Sequence, residues 1–233
     1  MKLPPRLLKV AEFIPPGRVV ADIGTDHALL PLHLLESGRA RKVIAVEVGA
    51  KPYAQARGNL EQHPLGERVE LRLGDGLQAL SQSDGAGVAV IAGMGGGTIR
   101  KILSQRPPDL DKTLEFFILQ PMSRPRELRA WLPEGGFSIL DEALAKDEGR
   151  IYEVFLAVIG TAPPRAGLPF GLKLLENRDP HLKEYLEVKI RKTRVVLDSL
   201  ARSRREDREE LLRRFAGELE HLERLMDLVP KNT

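Results

Sequence analysis

The stretch from Val19 to Ala28 carries the residues best suited to ligand chemistry. Its apolar, β-branched first half predicts a buried strand, and Asp22 falls where that strand would end. In an open α/β sheet, a carboxylate at the carboxyl end of a strand faces the crevice in which such sheets bind ligands. Gly24 permits backbone angles closed to other residues and the close approach of a ligand. We therefore expect a strand, a ligand-binding turn and a helix that begins near Leu29.

The charge of this turn narrows the class of ligand. A dinucleotide-binding turn has two further glycines, and here those places hold Asp26 and a leucine of the predicted helix. A carboxylate repels a diphosphate, so the turn suits a neutral or cationic nucleoside. S-adenosylmethionine fits this description, because it carries a sulfonium and an amino group. We also expect Thr25 and Asp26 to cap the helix.

Two more acidic residues follow the next predicted strands. Glu47 lies near the end of the strand Lys42–Val48, 25 positions after Asp22. This is close to the spacing at which a ribose-binding acid follows the first turn of nucleotide-binding folds. Asp75 and Gly76 follow the third strand, where a carboxylate between glycines could reach an adenine amino group. The alternatives are a solvent-facing glutamate and a plain Gly-Asp-Gly turn.

A glycine-rich segment, Gly93–Gly97, follows the fourth predicted strand and contains Met94. Backbone left uncovered in this way lets a flat ring lie against it and directs amides into a site. The Gly-Lys-Ser/Thr ending of a phosphate-binding loop is missing. A flexible connection before a helix starting at Thr98 is the alternative interpretation.

The order of the predicted elements indicates an α/β fold. A fifth strand, Leu114–Leu119, ends in Gln-Pro-Met, and two further strands, Phe137–Ala145 and Ile151–Ile159, are joined by Lys-Asp-Glu-Gly-Arg, which is typical of a hairpin. We expect a mostly parallel, doubly wound sheet with an antiparallel final hairpin. Functional residues at the ends of strands one to four are the Rossmann-like, class I methyltransferase arrangement.

Composition excludes several functional classes. The 233 residues, 42% of them hydrophobic, suffice for one domain and an appendage. With no cysteine and five scattered histidines, the chain has no disulfide or thiolate and no metal-ligand spacing, so we predict no metal. The amino-terminal helix is too short and too charged for a signal peptide or a membrane span, so we expect a cytoplasmic protein, and we predict a monomer.

The carboxyl-terminal part differs in character. After Pro163 and Pro164 the chain becomes charged and helical, and two seams of apolar residues at helical spacing predict an antiparallel, coiled-coil hairpin. We expect a catalytic domain at 1–162 and a helical domain at 163–233. Basic side chains of this hairpin could lie along RNA phosphates: Lys189, Arg191, Lys192, Arg202 and Arg205. The alternative is a solvated surface, because glutamates are interleaved with them.

The first domain contains four short sequence motifs: Val20–Ala28, Gly74–Leu77, Ile91–Gly96 and Leu119–Pro121. Together they resemble the bacterial tRNA adenine-N1 methyltransferase family (TrmK), which modifies adenine 22 of tRNA. Further likeness at both ends extends the resemblance over most of residues 1–160. It implies a Rossmann-like catalytic domain followed by a helical coiled-coil domain, with S-adenosylmethionine as cofactor, tRNA as partner and no metal.

The resemblance also implies roles for individual residues. Those expected to bind the cofactor are Asp22, Gly24, Thr25, Glu47, Asp75, Gly76, Gly93 and Met94. Asp26 is the first candidate for stabilising the methylated adenine or accepting its proton, and His27 is the second, although His27 could equally be structural. Met122 stands where at least some family members carry asparagine. If that asparagine contacts the base, its role passes here to Gln120, which we expect to contact tRNA, or to the backbone.

Other functional classes stay open from the sequence. They are a methyltransferase acting on another RNA or on a small molecule, a nicotinamide-dependent oxidoreductase and a non-catalytic RNA-binding protein. The missing glycines disfavour the oxidoreductase, and the ordered set of site residues disfavours a non-catalytic protein. The basic hairpin disfavours a small-molecule substrate.

Overall fold

The computed structural model describes residues 3–160, 172–203, 205 and 207–230. The chain forms two compact units, residues 1–170 and 171–233. The predicted domain boundary at 162/163 falls outside the described residues.

The first unit alternates strands and helices. Its strands are β1 (Arg18–Ile23), β2 (Ala40–Glu47), β3 (Val69–Leu73), β4 (Val88–Gly95), β5 (Phe116–Ser123), β6 (Phe137–Asp147) and β7 (Arg150–Ile159). Its helices are α1 (Pro5–Glu12), α2 (Leu29–Glu36), α3 (Ala50–Glu61), α4 (Gly96–Ser104) and α5 (Pro125–Glu134). Short 3-10 turns lie at Gly66–Arg68, Gly76–Ala79, Gln82–Asp84 and Pro108–Lys112.

The seven strands form one sheet in the order β3-β2-β1-β4-β5-β7-β6. Strands β1 to β5 pair in parallel, whereas β7 pairs antiparallel with both β5 and β6. The predicted doubly wound sheet with an antiparallel final hairpin is confirmed. The order reverses between β1 and β4, and crevices at such a reversal are where open α/β sheets bind ligands.

Apolar side chains cover both faces of the sheet. On one face Ile91 and Phe117 pack with Leu103 of α4 and Leu128 of α5. On the other face their sequence neighbours pack with residues of α1, α2 and α3. Burial on both faces explains why β1, β2 and β4 are continuous apolar runs rather than alternating ones.

The final hairpin turns at Glu148 and Gly149, whose φ angles are 47° and 73°. Two successive left-handed residues between paired Asp147 and Arg150 form the turn that matches the twist of a two-residue hairpin. Arg6 of α1 donates a hydrogen bond to the Asp147 carboxylate at 2.8 Å, which ties the amino-terminal helix to the hairpin.

Strands β4 and β5 extend further than the sequence indicates. Gly93 and Gly95 lie within β4 rather than in a loop, and Gln120 and Met122 lie within β5. The extension continues the pairing of the two strands to Ser123, with register shifts after Ala92. Glycines tolerate such irregular pairing, which is why the predicted loop is a distorted strand end.

The second unit contains α6 (Leu172–Glu176), α7 (Leu182–Ala201) and α8 (Arg208–Leu228). Helices α7 and α8 pack on each other, and Arg194 of α7 donates to the Glu223 carboxylate of α8 at 2.7 Å. The predicted pair of helices is therefore present. The sequence also predicts that the two helices are joined around residues 202–205; within this stretch, Arg204 lies outside the described residues. Within the described ranges, no helix combines the length and apolar character needed to cross a membrane.

Candidate functional site

The candidate site lies at the carboxyl edge of the parallel strands. Asp22 lies near the end of β1, where it pairs with Ala45 of β2 and Val90 of β4. Glu47 is the last residue of β2. Parallel strands end at the same edge, so both carboxylates reach the crevice next to the reversal of strand order.

Asp22 is a buried acid, only 5% exposed. Burial raises the pKa of its carboxyl from 3.8 to about 6, the nearby Thr25 hydroxyl opposes that shift, and the charge of Glu47 adds to it. Thr25 Oγ1 is buried close to this carboxylate, although in the described part of the chain it makes no hydrogen bond of regular geometry. A buried acid beside a buried hydroxyl is typical of a site that a polar, cationic ligand completes.

Glu47 is 8% exposed, so the alternative of a solvent-facing glutamate is wrong. Its Oε1 accepts hydrogen bonds from Val48 N at 2.9 Å and Gly49 N at 3.0 Å, and its Oε2 accepts one from Asp26 N at 3.2 Å. A carboxylate has about four acceptor positions, so one remains on the Oε2 side for a ligand hydroxyl.

The turn after β1 is held by backbone contacts. The amides of Gly24 and Thr25 donate to Val46 O of β2 at 2.8 and 3.1 Å. Gly24 has a φ of 77°, which favours glycine, and Asp26 and Ala28 also take left-handed angles. The predicted capping of α2 by Thr25 or Asp26 is wrong: Ala28 occupies the N-cap position, and no side chain caps the helix. The helix begins at Leu29, as expected, but Thr25 and Asp26 lie before its N-cap, and no hydrogen bond joins their side chains to its first amides.

Asp26 and His27 lie at the open side of this turn. The Asp26 carboxylate is 64% exposed, and its Oδ2 lies 3.5 Å from His27 Nε2. Asn59 of α3 donates from Nδ2 to His27 O at 2.9 Å and so fixes the backbone at His27. The sequence reasoning missed Asn59, because its contact lies 32 positions away and no local pattern signals it.

The distorted end of β4 faces this turn. Gly93 has a φ of 76°, and the Met94 side chain packs over Gly24. Gln120 is fully buried, and its Oε1 accepts a hydrogen bond from Gly93 N at 3.1 Å. Its Nε2 lies 3.6 Å from the sulfur of Met122, which is partly exposed. Gln120 therefore contacts the glycine segment instead of presenting its amide to solvent.

Asp75 and Gly76 begin the 3-10 turn after β3. Asp75 is exposed, whereas Gly76 is buried, has a φ of 58° and packs against Ile102 of α4. This loop is fixed by Arg72, another residue that the sequence reasoning missed. Its guanidinium donates to Ala79 O at 2.8 Å and to the Asp84 carboxylate at 2.6 and 2.8 Å.

The ion pair with Arg72 lowers the pKa of the Asp84 carboxyl. The hydrogen bond from Arg72 lowers the pKa of Asp84 from 3.8 to about 2, against the smaller opposing effect of burial. Arg72 also donates to the Glu70 carboxylate on its own strand, at 2.9 Å from Nε. The loop that presents Asp75 is thus held at both ends by one arginine.

The basic side chains predicted to meet RNA lie on the second unit. Arg191, Lys192 and Arg202 are exposed. Lys189 is half-buried, with its ammonium 5.1 Å from the centre of the Tyr185 ring. Arg205 is exposed and forms a two-point ion pair with Asp207 at 2.9 and 3.0 Å.

The first unit therefore presents carboxylates from three strand ends and one turn around glycine-lined backbone. These carboxylates repel a diphosphate and attract a cationic nucleoside. Within the described ranges, no group of three or more histidine, aspartate or glutamate side chains is arranged to hold a metal ion. The sheet order and this crevice define a Rossmann-like methyltransferase.

Comparisons with known proteins show to which family of methyltransferases the chain belongs. A family model described as a methyltransferase domain matches residues 3–155. The tRNA (adenine(22)-N(1))-methyltransferase of Bacillus subtilis is 30% identical over 235 residues, covering 97% of this chain and 98% of the relative. The chain belongs to the tRNA (adenine(22)-N1)-methyltransferase family.

Two solved structures are similar over at least 95% of this chain. The crystal structure of the B. subtilis M1A22 tRNA methyltransferase TrmK has a TM-score of 0.82 at 30% identity, covering 97% of this chain and 99% of that one. Streptococcus pneumoniae Sp1610 in complex with S-adenosyl-L-methionine has a TM-score of 0.81 at 32% identity, covering 95% and 98%.

Proposed function

We propose that this chain transfers the methyl group of S-adenosylmethionine to N1 of adenine 22 in tRNA. The observation that carries the proposal is the similarity to the B. subtilis enzyme over 97% of this chain. It includes the helical second unit as well as the catalytic one, so it supports the substrate together with the reaction. A reaction on tRNA also leads us to propose the cytoplasm as the compartment.

The crevice fits the cofactor by the chemistry of its donor set. The Asp22 carboxylate and the buried Thr25 hydroxyl beside it would meet the amino group of the methionine part near Gly24. The remaining acceptor position of Glu47 would take a ribose hydroxyl. Asp75, Gly76 and the segment at Gly93 and Met94 complete the set of proposed cofactor-binding residues.

The bound cofactor supplies an electrophilic methyl group attached to a sulfonium. Adenine N1 attacks with its in-plane lone pair, so no residue has to deprotonate it, and positioning accounts for much of the acceleration. Because N1 is normally held in base pairing, the protein must take the base out of the stack or meet it unpaired.

Methylation leaves a positive charge on the adenine ring. The exposed Asp26 carboxylate would stabilise that charge and could then receive the proton of the amino group. His27, 3.5 Å away, is the second candidate, and Asn59 holds its backbone carbonyl. Gln120 acts through Gly93, since its oxygen fixes that amide and its side chain is buried.

The second unit supplies the proposed contacts to the tRNA backbone. Arg191, Lys192 and Arg202 are exposed, and neutralising phosphates with such side chains releases counterions and strengthens binding. Lys189 and Arg205 belong to the same proposed set, although each already has a partner within the unit.

The test is methyl transfer from labelled S-adenosylmethionine to unmodified tRNA, followed by nucleoside analysis and mapping of the modified position. We expect N1-methyladenosine at position 22, and none in a matched tRNA with guanine at that position. Methylation that persists in the substituted tRNA would contradict the proposed target. Transfer to a small molecule or to another RNA, with none to tRNA, would contradict the proposed substrate.

A further inference from the structure

An arginine at the rim of the crevice has no role in the site as described so far. Arg124 directly follows β5, the strand whose last residues pair with the glycine segment of β4: Pro121 with Met94 and Ser123 with Gly95. It therefore lies at the same sheet edge as the proposed cofactor site.

The backbone at Arg124 is held in close contact with α4. A Cβ added at Gly96 would lie 2.7 Å from Arg124 O and 3.1 Å from Ser123 O, so only glycine fits opposite this peptide. Arg124 O also accepts the hydrogen bond of Leu128 N at 3.2 Å, which starts the first turn of α5. The position of the arginine relative to the glycine segment is thus fixed by backbone packing.

The conformation of Arg124 does not explain why an arginine stands there. Its φ is 54°, in the left-handed region that glycine and asparagine tolerate better. Residues held in this region concentrate at binding and catalytic sites, where the side chain has a use that offsets the strain.

The side chain is available for a ligand. The Arg124 side chain is 69% exposed, and its Nη1 lies 3.6 Å from the carboxylate of Glu127, which is equally exposed. An exposed pair at that separation contributes little, so an incoming anion could replace Glu127 without a large loss. A guanidinium presents a planar fork of donors that matches two phosphate oxygens.

From this juxtaposition we infer that Arg124 binds a phosphodiester of the RNA strand that flanks the target adenine. The inference rests on the proposed function and adds an RNA contact on the catalytic unit itself. The fixed peptide places Arg124 directly after the exposed Met122 and Ser123 at the end of β5. A phosphate held there would anchor the strand while its base enters the crevice.

The experiment compares R124Q with R41Q, an exposed arginine near the start of β2, at the opposite edge of the sheet. We expect R124Q to weaken tRNA binding and to lower kcat/KM for tRNA by about 10- to 100-fold, as the loss of one charge-assisted contact would. The salt dependence of tRNA binding should flatten by about one released ion. The dissociation constant for S-adenosylmethionine should stay unchanged, and R41Q should resemble the wild type.

A second variant separates the side chain from the backbone. R124G removes the guanidinium and relieves the left-handed strain, so it should fold at least as stably as the wild type and bind tRNA as weakly as R124Q. Equal tRNA affinity and salt dependence in R124Q and R41Q would overturn the inference, as would wild-type binding by R124G. Should the wild type bind tRNA without methylating it, the proposed function fails while the binding comparison still decides the role of Arg124.

Discussion

The Met94 methyl group occupies the space in which a side chain on Gly24 would begin: a Cβ built at Gly24 would lie 2.1 Å from Met94 Cε. The turn after β1 and the distorted end of β4 thus meet through one flexible side chain. Any substitution at Gly24 must displace that methionine and also adopt a φ of 77°.

These two effects can be separated by replacing both residues. G24A should lower the free energy of unfolding by about 1 kcal/mol or more, through the left-handed angle, and should weaken cofactor binding. Adding M94A removes the steric overlap with the new Cβ but leaves the left-handed φ at position 24. Because methionine is flexible, we expect the double variant to recover little stability in denaturant titrations. Full recovery would show that overlap, not backbone strain, excludes alanine.

Asp22 should have opposite effects on stability and on binding. Its pKa is higher in the folded protein, at about 6, than the ordinary 3.8, so ionising it opposes folding. This penalty is absent below about pH 4, grows between pH 4 and 6 and is complete above pH 6, where it amounts to about 3 kcal/mol. D22N should therefore stabilise the cofactor-free protein at pH 7.5, by up to that amount, and hardly at pH 4.

Binding of S-adenosylmethionine by the same variant should be weaker, because the cationic amino group loses its carboxylate partner. In the wild type the affinity should rise as the pH passes 6, and this rise should be missing from D22N. Denaturant titrations and calorimetric binding at several pH values measure both quantities. A D22N protein that is less stable than the wild type at pH 7.5 would contradict the assigned pKa.

Glu47 links the turn after β1 to the loop after β2 through three backbone amides. E47Q places an NH₂ group where amide donors point, so we expect a loss of about 1 to 3 kcal/mol in unfolding free energy and weaker cofactor binding. It also removes the charge that raises the pKa of Asp22, so the pH-dependent rise in affinity should begin at lower pH. An unchanged cofactor dissociation constant would contradict the proposed ribose contact.

Asp26 and His27 can be distinguished by turnover. D26N should lower kcat by about 100-fold while the dissociation constants for cofactor and tRNA stay within twofold, since the exposed carboxylate acts on charge that develops during transfer. H27Q should change kcat much less. Single-turnover assays at saturating tRNA measure the chemical step. A larger loss in H27Q than in D26N would exchange the two roles.

The sequence predicts the parts of the fold that depend on local patterns. Apolar strands, turn residues and the hairpin at Glu148 and Gly149 are set by short-range chemistry, and the structure confirms them. Contacts between distant segments could not be predicted. Glu47 accepts a hydrogen bond from the amide of Asp26, 21 positions earlier, and Gln120 is buried against Gly93, 27 positions earlier.

The wrong expectation for the cap of α2 has a similar cause. Thr25 and Asp26 are good capping residues in isolation, but Ala28, not either of them, holds the N-cap position of α2. The turn that contains them is tied to Val46 of β2, a contact that no local propensity reports. The roles of the individual site residues, in contrast, are proposals that only the variants above can test.

The proposed role of the basic residues on the second unit can be tested against a control variant that loses the same charges elsewhere. R191Q/K192Q removes one exposed arginine and one exposed lysine from α7, and R41Q/K112Q removes the same charges from the first unit. If α7 lies along tRNA phosphates, the first pair should lower tRNA affinity and reduce the slope of log affinity against log salt by about two ions, whereas the second should change neither. Cofactor affinity should be unaffected in both, because S-adenosylmethionine binding is proposed at the sheet edge. Equal salt slopes in the two variants would mean that these residues only solvate the helix, as charged residues interleaved with glutamates commonly do.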